Sequence, residues 1–333
     1  MMKLDKNSDF YKNKSTLVLG GAGFIGSNLA ERLVKVGAKV FIIDALSADC
    51  GGKLFNISEI KDKARFFRGD VKNLKTLPYL LKKCEIVFNC MGYTNHLGSL
   101  MSPDKDLEYN CINHLRFLQA CKTYNPRVKI IYLGTRSQYG RAAKRQIKEN
   151  HPMYPLDFHS AHKILGEFYH SLFGTIFNLS TVTLRITNVY GPRQDMRQGN
   201  CSIINKFIRE IIDGDKVKIF GNGLRVKDFL YIDDAVDALL LIGKHKYSAT
   251  AVYNLGGEAV KIKEPVKNII KFLGKGSFDI IPFPKKLKKI DAGDIILDNS
   301  KIRKELGWRP RTTLKAGVDN TIRFYLKNKK NYW

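Results

Sequence analysis

Long apolar runs are missing from this chain of 333 residues. None approaches the roughly 18 consecutive apolar residues that a membrane-spanning helix needs. The opening stretch, MMKLDKNSDFYKNKST, is polar and holds no apolar core of a signal peptide. Membrane insertion is therefore not expected, and a cytoplasmic setting is. Metal-ligand spacing is missing too. The six cysteines, Cys50, Cys84, Cys90, Cys111, Cys121 and Cys201, form no CxxC pair. No metal site is expected, and the thiols read as free, mostly buried small hydrophobes. Acidic residues are scarce, 31 against 57 basic ones, for a formal charge of +26. The lysines are spread along the whole chain, with small clusters at Lys285, Lys286, Lys288, Lys289 and at Lys327, Lys329, Lys330. This reads as a lysine-rich surface rather than the footprint of a nucleic acid, and no nucleic-acid partner is expected. Such a surface still draws anionic small molecules.

What is present is an alternation of short β-branched runs with helical patterns. Strands are expected at Thr16–Leu19, Lys39–Ile43, Arg65–Phe67, Ile86–Asn89, Lys129–Leu133 and Thr181–Ile186. Helices are expected between them, at Ile25–Val36, Leu74–Lys82, Asp106–Lys122 and Ser160–Phe173. This order implies an α/β fold, a Rossmann-type doubly wound parallel sheet with helices on both faces. After Tyr190-Gly191-Pro192 the pattern loosens. Helices at Ile203–Ile212 and Asp233–Ile242 mix with short strands at Lys216–Ile219 and Val252–Leu255. We expect a dinucleotide-binding domain over 14–188, with segments of about 226–257 returning to it. A smaller, discontinuous α/β domain is expected over 189–333.

The strongest local signal is Gly20-Gly21-Ala22-Gly23-Phe24-Ile25-Gly26, which follows a strand and opens a helix. Gly20 permits a tight turn, Gly23 a close approach of diphosphate to backbone, and Gly26 close packing of helix on sheet. The helix N-terminus offers free N–H groups to phosphates. The next strand ends in Asp44, where a carboxylate binds adenosine ribose hydroxyls and repels a 2′-phosphate, so NAD is expected over NADP. Asp70 follows the third strand and is placed to reach the adenine.

These features resemble the extended short-chain dehydrogenase/reductase family, specifically its NAD-dependent sugar-nucleotide epimerases and dehydratases. The resemblance spans about residues 14–327. It also rests on Gly134-Thr135-Arg136-Ser137-Gln138-Tyr139-Gly140, Lys163, Arg185-Ile186-Thr187-Asn188-Val189-Tyr190-Gly191-Pro192-Arg193, Lys227-Asp228-Phe229-Leu230-Tyr231 and Leu306-Gly307-Trp308. The resemblance implies that Thr135 bonds a sugar hydroxyl and that Lys163 binds the nicotinamide ribose. The family tyrosine falls four residues before that lysine, where this chain has His159. Positions four apart share a helix face, so His159 is expected to face the cleft with Lys163. The nearby ammonium would keep its imidazole neutral and competent as a base. A histidine that only touches ligand, or a site without activity, are the alternatives. Tyr139, Tyr154 and Tyr93 are other phenols considered for the cleft. His162 is expected to face elsewhere.

The remaining expected cofactor contacts are Phe24, Ile25, Val71, Cys90, Met91 and Gly92. Thr94, Arg136, Asn188, Arg225 and Lys227 are the expected substrate contacts. Family dehydratases place Asp-Glu after the threonine, and related decarboxylases a Glu two residues after it. Arg136 and Ser137 supply no carboxylate there, which disfavours both reactions. Arg136 is left with two roles, a substrate contact or a pair with Glu149. The family arginine before Asp228 is Lys227, with Arg225 nearby, and a second phosphate-binding arginine is missing at Asp291-Ala292-Gly293-Asp294. The resemblance implies an NAD-dependent nucleotide-sugar epimerase that transiently oxidises a sugar carbon, most often C4, in surface-polysaccharide precursor synthesis. A nucleotide-sugar dehydrogenase or reductase and a non-catalytic NAD-binding protein are the rival readings. It further implies a homodimer, paired through the helices at Asp106–Lys122 and Phe158–Phe173.

Overall fold

The computed structural model describes residues 8–142, 146–197, 201–246 and 250–333. Seven strands form one sheet: β1 Ser15–Leu19, β2 Lys39–Asp44, β3 Ala64–Arg68, β4 Ile86–Asn89, β5 Lys129–Thr135, β6 Ser180–Ile186 and β7 Ala251–Leu255. Their order is β7-β6-β5-β4-β1-β2-β3, and every pairing is parallel. Parallel strands are covered on both faces, so they read as continuous apolar runs. All four residues of β4 are buried. In β1, Leu17 and Leu19 pack into the core on one face of the sheet and Val18 into the core on the other, as a two-residue period requires.

Chain order reverses between β1 and β4. A crevice therefore opens at the carboxyl ends of these strands, where doubly wound sheets bind ligands. Three helices frame it. Helix α1, Phe24–Lys35, follows β1 directly. Helix α2 runs through Pro103–Leu107, a π-turn at Glu108–Ile112 and Asn113–Tyr124. Helix α3, Phe158–Phe177, packs against α2 and against β5 and β6. Asp157 caps α3 by accepting the Ser160 N–H at 2.7 Å, and Asn178 ends it in the left-handed region at φ 57°. Such caps set helix bounds, which is why α3 is longer at both ends than its apolar pattern suggests. The helix expected at Leu74 instead spans Leu77–Lys83, because Pro78 fixes its first turn.

Beyond β6 the chain builds smaller sheets. Strands Asn188–Tyr190, Val226–Tyr231 and Glu258–Lys261 form one, and Val217–Phe220 pairs with Phe278–Ile281. Within 226–257, β7 joins the main sheet and helix Ile232–Lys244 packs against β5 and α1, while Val226–Tyr231 stays in the three-stranded sheet. Among the described residues, no helix is long and apolar enough to cross a membrane.

Candidate active site

The turn after β1 is built for close approach. Gly20 sits at φ +68°, and a Cβ on Gly26 would lie 2.2 Å from the Gly20 carbonyl oxygen. Only glycine tolerates both demands. No side chain caps the first turn of α1, so its backbone donors stay open to an anion. Asp44 ends β2. One oxygen accepts the Ala22 N–H at 2.9 Å and the other the Leu46 N–H at 2.8 Å. Burial pushes its carboxyl above the usual range, against the pull of these N–H groups and that of Gly23.

These parts open onto one cavity of about 450 Å³. Gly20, Gly23, Phe24, Ile25 and Gly26 line it at the first βα turn, with Asp44, Asp70 and Val71 beyond β2 and β3. Cys90, Met91, Gly92 and Thr94 line it after β4, and Thr135, His159, Lys163 and Asn188 at the opposite end. A dinucleotide fits this surface: open amides at a helix N-terminus, glycines where a Cβ would fill the cradle, and a carboxylate at the end of β2. The loop at Ser47–Gly52 and Tyr109, Gln194 and Asp195 also line the cavity. Motif spacing did not reach them, because loops contribute to a site through tertiary approach rather than local pattern.

At the far end, Lys163 donates from Nζ to the Leu133 carbonyl at 2.5 Å and lies 4.3 Å above the Tyr132 ring. Burial lowers its ammonium to about 8. Thr135 caps the turn after β5, its Oγ1 3.2 Å from Ser137 Oγ and its N–H donating to Gln138 Oε1 at 2.7 Å. His159 is buried, 2% exposed, one helical turn before Lys163. Its pKa is lowered, as expected from the sequence, but the main cause is burial, with His96 and Lys163 adding to it and Asp106 opposing. His162 does not line the cavity; its Nδ1 meets Asp106 Oδ1 at 2.8 Å.

None of the three considered phenols lines the cavity. Tyr139 is fully buried, donates to Asn254 Oδ1 at 2.7 Å and accepts from Arg185 at 2.7 Å. Tyr93 is buried and Tyr154 is exposed outside. Arg136, Arg225 and Lys227 do not line it either. They form a separate charged cluster. Arg225 pairs with Asp291 at 2.6 Å and Asp294 at 3.6 Å, and Lys227 lies 3.9 Å from Asp291. Burial, then Arg136, lowers Lys227 to about 7. Arg136 makes no pair with Glu149; its Nη1 is buried without a hydrogen-bond partner among the described residues. Among those residues, no group of three or more His, Cys, Asp or Glu side chains is placed to hold a metal ion.

Comparison with known proteins supplies the context. Residues 16–256 match the model of the NAD dependent epimerase/dehydratase family. A UDP-glucose 4-epimerase of Mycolicibacterium smegmatis is 29% identical over 315 residues, 93% of this chain and 98% of that one. The solved UDP-glucose 4-epimerase of Thermotoga maritima, bound to UDP-glucose, superposes with a TM-score of 0.83 at 29% identity, over 94% of this chain and 99% of the other. The structure of MoeE5 with UDP-glucuronic acid and NAD gives a TM-score of 0.81 at 26% identity, over 94% and 99% of the two chains. A fold, a cradle and a family match over most of the length agree, and the chain belongs to the NAD dependent epimerase/dehydratase family, an extended short-chain dehydrogenase/reductase with NAD as its cofactor.

Proposed function

We propose that this enzyme is a nucleotide-sugar epimerase that oxidises one sugar carbon transiently, C4 in the first instance, and returns the hydride to the opposite face. NAD, when bound, supplies the reversible hydride acceptor. The carrying observation is that Thr135, His159 and Lys163 line the same cavity as the glycine turn and Asp44. Thr135 offers a hydroxyl to the sugar oxygen. Lys163 brings positive charge beside the ribose, and His159 takes the place of the family phenol as acid/base. Burial keeps its imidazole neutral, the form that accepts a proton. Arg136 and Ser137 follow Thr135 without a carboxylate, which supports epimerisation over loss of water or carbon dioxide. The similarity to UDP-glucose 4-epimerases supports a nucleotide-diphosphate sugar as substrate. A homodimer and a role in surface-polysaccharide precursor synthesis belong to the same reading.

The test is turnover of UDP-sugars in D₂O, followed by mass spectrometry and by absorbance of reduced cofactor. Epimer without solvent deuterium and without steady NADH release is expected. Steady NADH release instead would identify a net dehydrogenase. His159→Phe should lose at least about 100-fold in kcat with its NAD still bound, the scale of a lost acid/base group. Full activity in that variant would remove the imidazole from the mechanism.

A further inference from the structure

The imidazole at position 159 does not stand alone. Its Nδ1 lies 3.4 Å from Asp106 Oδ2, and Asp106 is completely buried. The other carboxylate oxygen is occupied: Oδ1 accepts from Asn110 Nδ2 at 2.9 Å and meets His162 Nδ1 at 2.8 Å. Oδ2 makes no conventional hydrogen bond among the described residues. A buried carboxylate oxygen left in this state is costly unless a proton is directed at it.

The neighbouring amide decides which ring nitrogen carries that proton. Asn110 Oδ1 accepts the Tyr93 N–H at 3.2 Å, and Nδ2 donates to the Tyr93 carbonyl at 2.9 Å. These two bonds fix the amide's orientation, so the group 3.4 Å from His159 Nδ1 is a donor, with its hydrogens already given to Tyr93 and Asp106. It offers nothing to a lone pair on Nδ1. Asp106 Oδ2, an acceptor, does demand a hydrogen there. The backbone is anchored as well: the His159 main-chain N–H donates to Ser99 Oγ at 3.3 Å. The His96 ring stands edge-on at 4.7 Å between centroids and is itself tied to Asp157 at 2.6 Å.

From this geometry we infer that Asp106 is the positioning residue of an Asp106–His159 dyad, holding the Nδ1–H tautomer so that the Nε2 lone pair faces the cavity. The inference rests on His159 being the acid/base of the proposed reaction. In that step His159 Nε2 takes the proton of the sugar hydroxyl as the C–H electron pair leaves toward the nicotinamide. The O–H bond breaks, a C=O bond forms, and the imidazolium charge faces Asp106. When the hydride returns, the proton goes back to the oxygen. A phenol needs no such support, since it has one oxygen and no tautomers. An imidazole in its place needs an acceptor behind it, and α2 supplies one from the turn before its π segment.

The groups facing the imidazole are Asp106 and Asn110 from α2, His96 from the short helix His96–Met101, and Lys163 from its own helix. Asp106 is the one anion among them acting on it. Burial works to raise the Asp106 carboxyl, but the approach of His159 and the contacts with Asn110 and His162 outweigh this and hold it below the usual range. Removing that charge therefore lowers the His159 pKa further. The acid limb of kcat/KM, which reports protonation of the base, should move to lower pH in Asp106→Asn.

The experiment is ¹⁵N NMR of the histidine-labelled, NAD-bound protein, with His159→Gln used for assignment, alongside kcat and KM for UDP-glucose as the probe substrate. Wild type should show His159 protonated on Nδ1 and free on Nε2. Asp106→Asn, whose amide can present a donor to Nδ1, should shift the ring toward the Nε2–H tautomer. It should also lower its titration midpoint and reduce kcat about 100-fold with KM within a few-fold. A wild-type Nε2–H tautomer would overturn the dyad, and so would a folded, NAD-bound Asp106→Asn with an unmoved midpoint. The wild-type spectrum decides the matter even where the variant fails to fold. If His159→Phe is fully active, the reading of the reaction falls instead, whatever tautomer the spectrum shows.

Discussion

At the scale of single residues, one end of the cavity was legible where the family motif locates Lys163 and helical spacing puts His159 on the same face. His159 and Lys163 stand four apart on one helix, and both line the cavity. Asp106 was not legible as their partner, since it approaches from another helix and no local pattern links the two. Tyr139, in a family motif, belongs to a buried network and not to the cleft. Lys163 yields a pH prediction. Its ammonium, lowered to about 8 by burial, sits well below the pKa of the same group in an unfolded chain, about 10.4. The fold disfavours the charged form, so a destabilising contribution is present below about pH 8. It is relieved as pH rises from there toward the unfolded value. The charge that Lys163 brings to the cavity is lost as pH passes through about 8. NAD affinity and kcat/KM should therefore fall together above about pH 8. In Lys163→Arg that limb should vanish, because a guanidinium stays charged. Calorimetric NAD titrations across pH read this directly, and an unmoved limb in the arginine variant would assign it to another group.

At the scale of elements, the strands were legible because buried parallel strands are continuous apolar runs, and a parallel sheet covered on both faces followed from β/α alternation. Element ends were less so: caps at Asp157 and Asn178, and Pro78, are tertiary or single-residue features that periodicity averages away. The cluster of Arg136, Arg225 and Lys227 shows another limit. Family position placed Lys227 toward a substrate, with Arg225 nearby and Arg136 left between a substrate contact and Glu149, whereas Asp291 and Asp294 on a distant segment take up the charge of Arg225 and Lys227. What holds the site's elements together is a buried pair. Arg185 of β6 binds Glu167 of α3 through two bonds, 2.5 and 3.0 Å. Gln138, in the turn that follows Thr135, donates to the same carboxylate at 2.8 Å. One ion pair thus ties β6 to the helix carrying His159 and Lys163 and to the turn carrying Thr135. Arg185→Met should leave Glu167 buried without its cation and cost about 3–5 kcal/mol. Denaturant unfolding of the two proteins measures this. A loss under about 1 kcal/mol would show that Glu167 finds another partner or takes up a proton cheaply.

At the scale of the whole molecule, one surface stands out. Phe168, Leu172 and Ile176 repeat every fourth residue on α3 and are 48%, 50% and 60% exposed, with Phe158 at 47% on the same helix. Leu97 and Met101, just before α2, are 54% and 84% exposed. Side chains four apart stack along one face of a helix, so α3 turns a continuous apolar stripe to solvent while its other face packs on β5 and β6. Single exposed apolar residues are ordinary, but a contiguous patch of this kind marks an interaction site. A two-fold dimer buries such a patch against its own copy, and antiparallel helices fill it without any second surface. The charge of +26 makes the choice of probe simple. A glutamate added to the stripe improves the overall charge balance and solubility, so a loss of association cannot come from added net repulsion. Across a two-fold axis, however, each new carboxylate is desolvated against apolar side chains of the other copy, which is costly without a partner. Phe168→Glu with Leu172→Glu should convert a dimer into a monomer in light scattering at micromolar concentration, with the sheet and the NAD site intact by circular dichroism and calorimetry. A wild-type protein that is already monomeric, or a double variant that still dimerises, would show that the stripe is not where two copies meet.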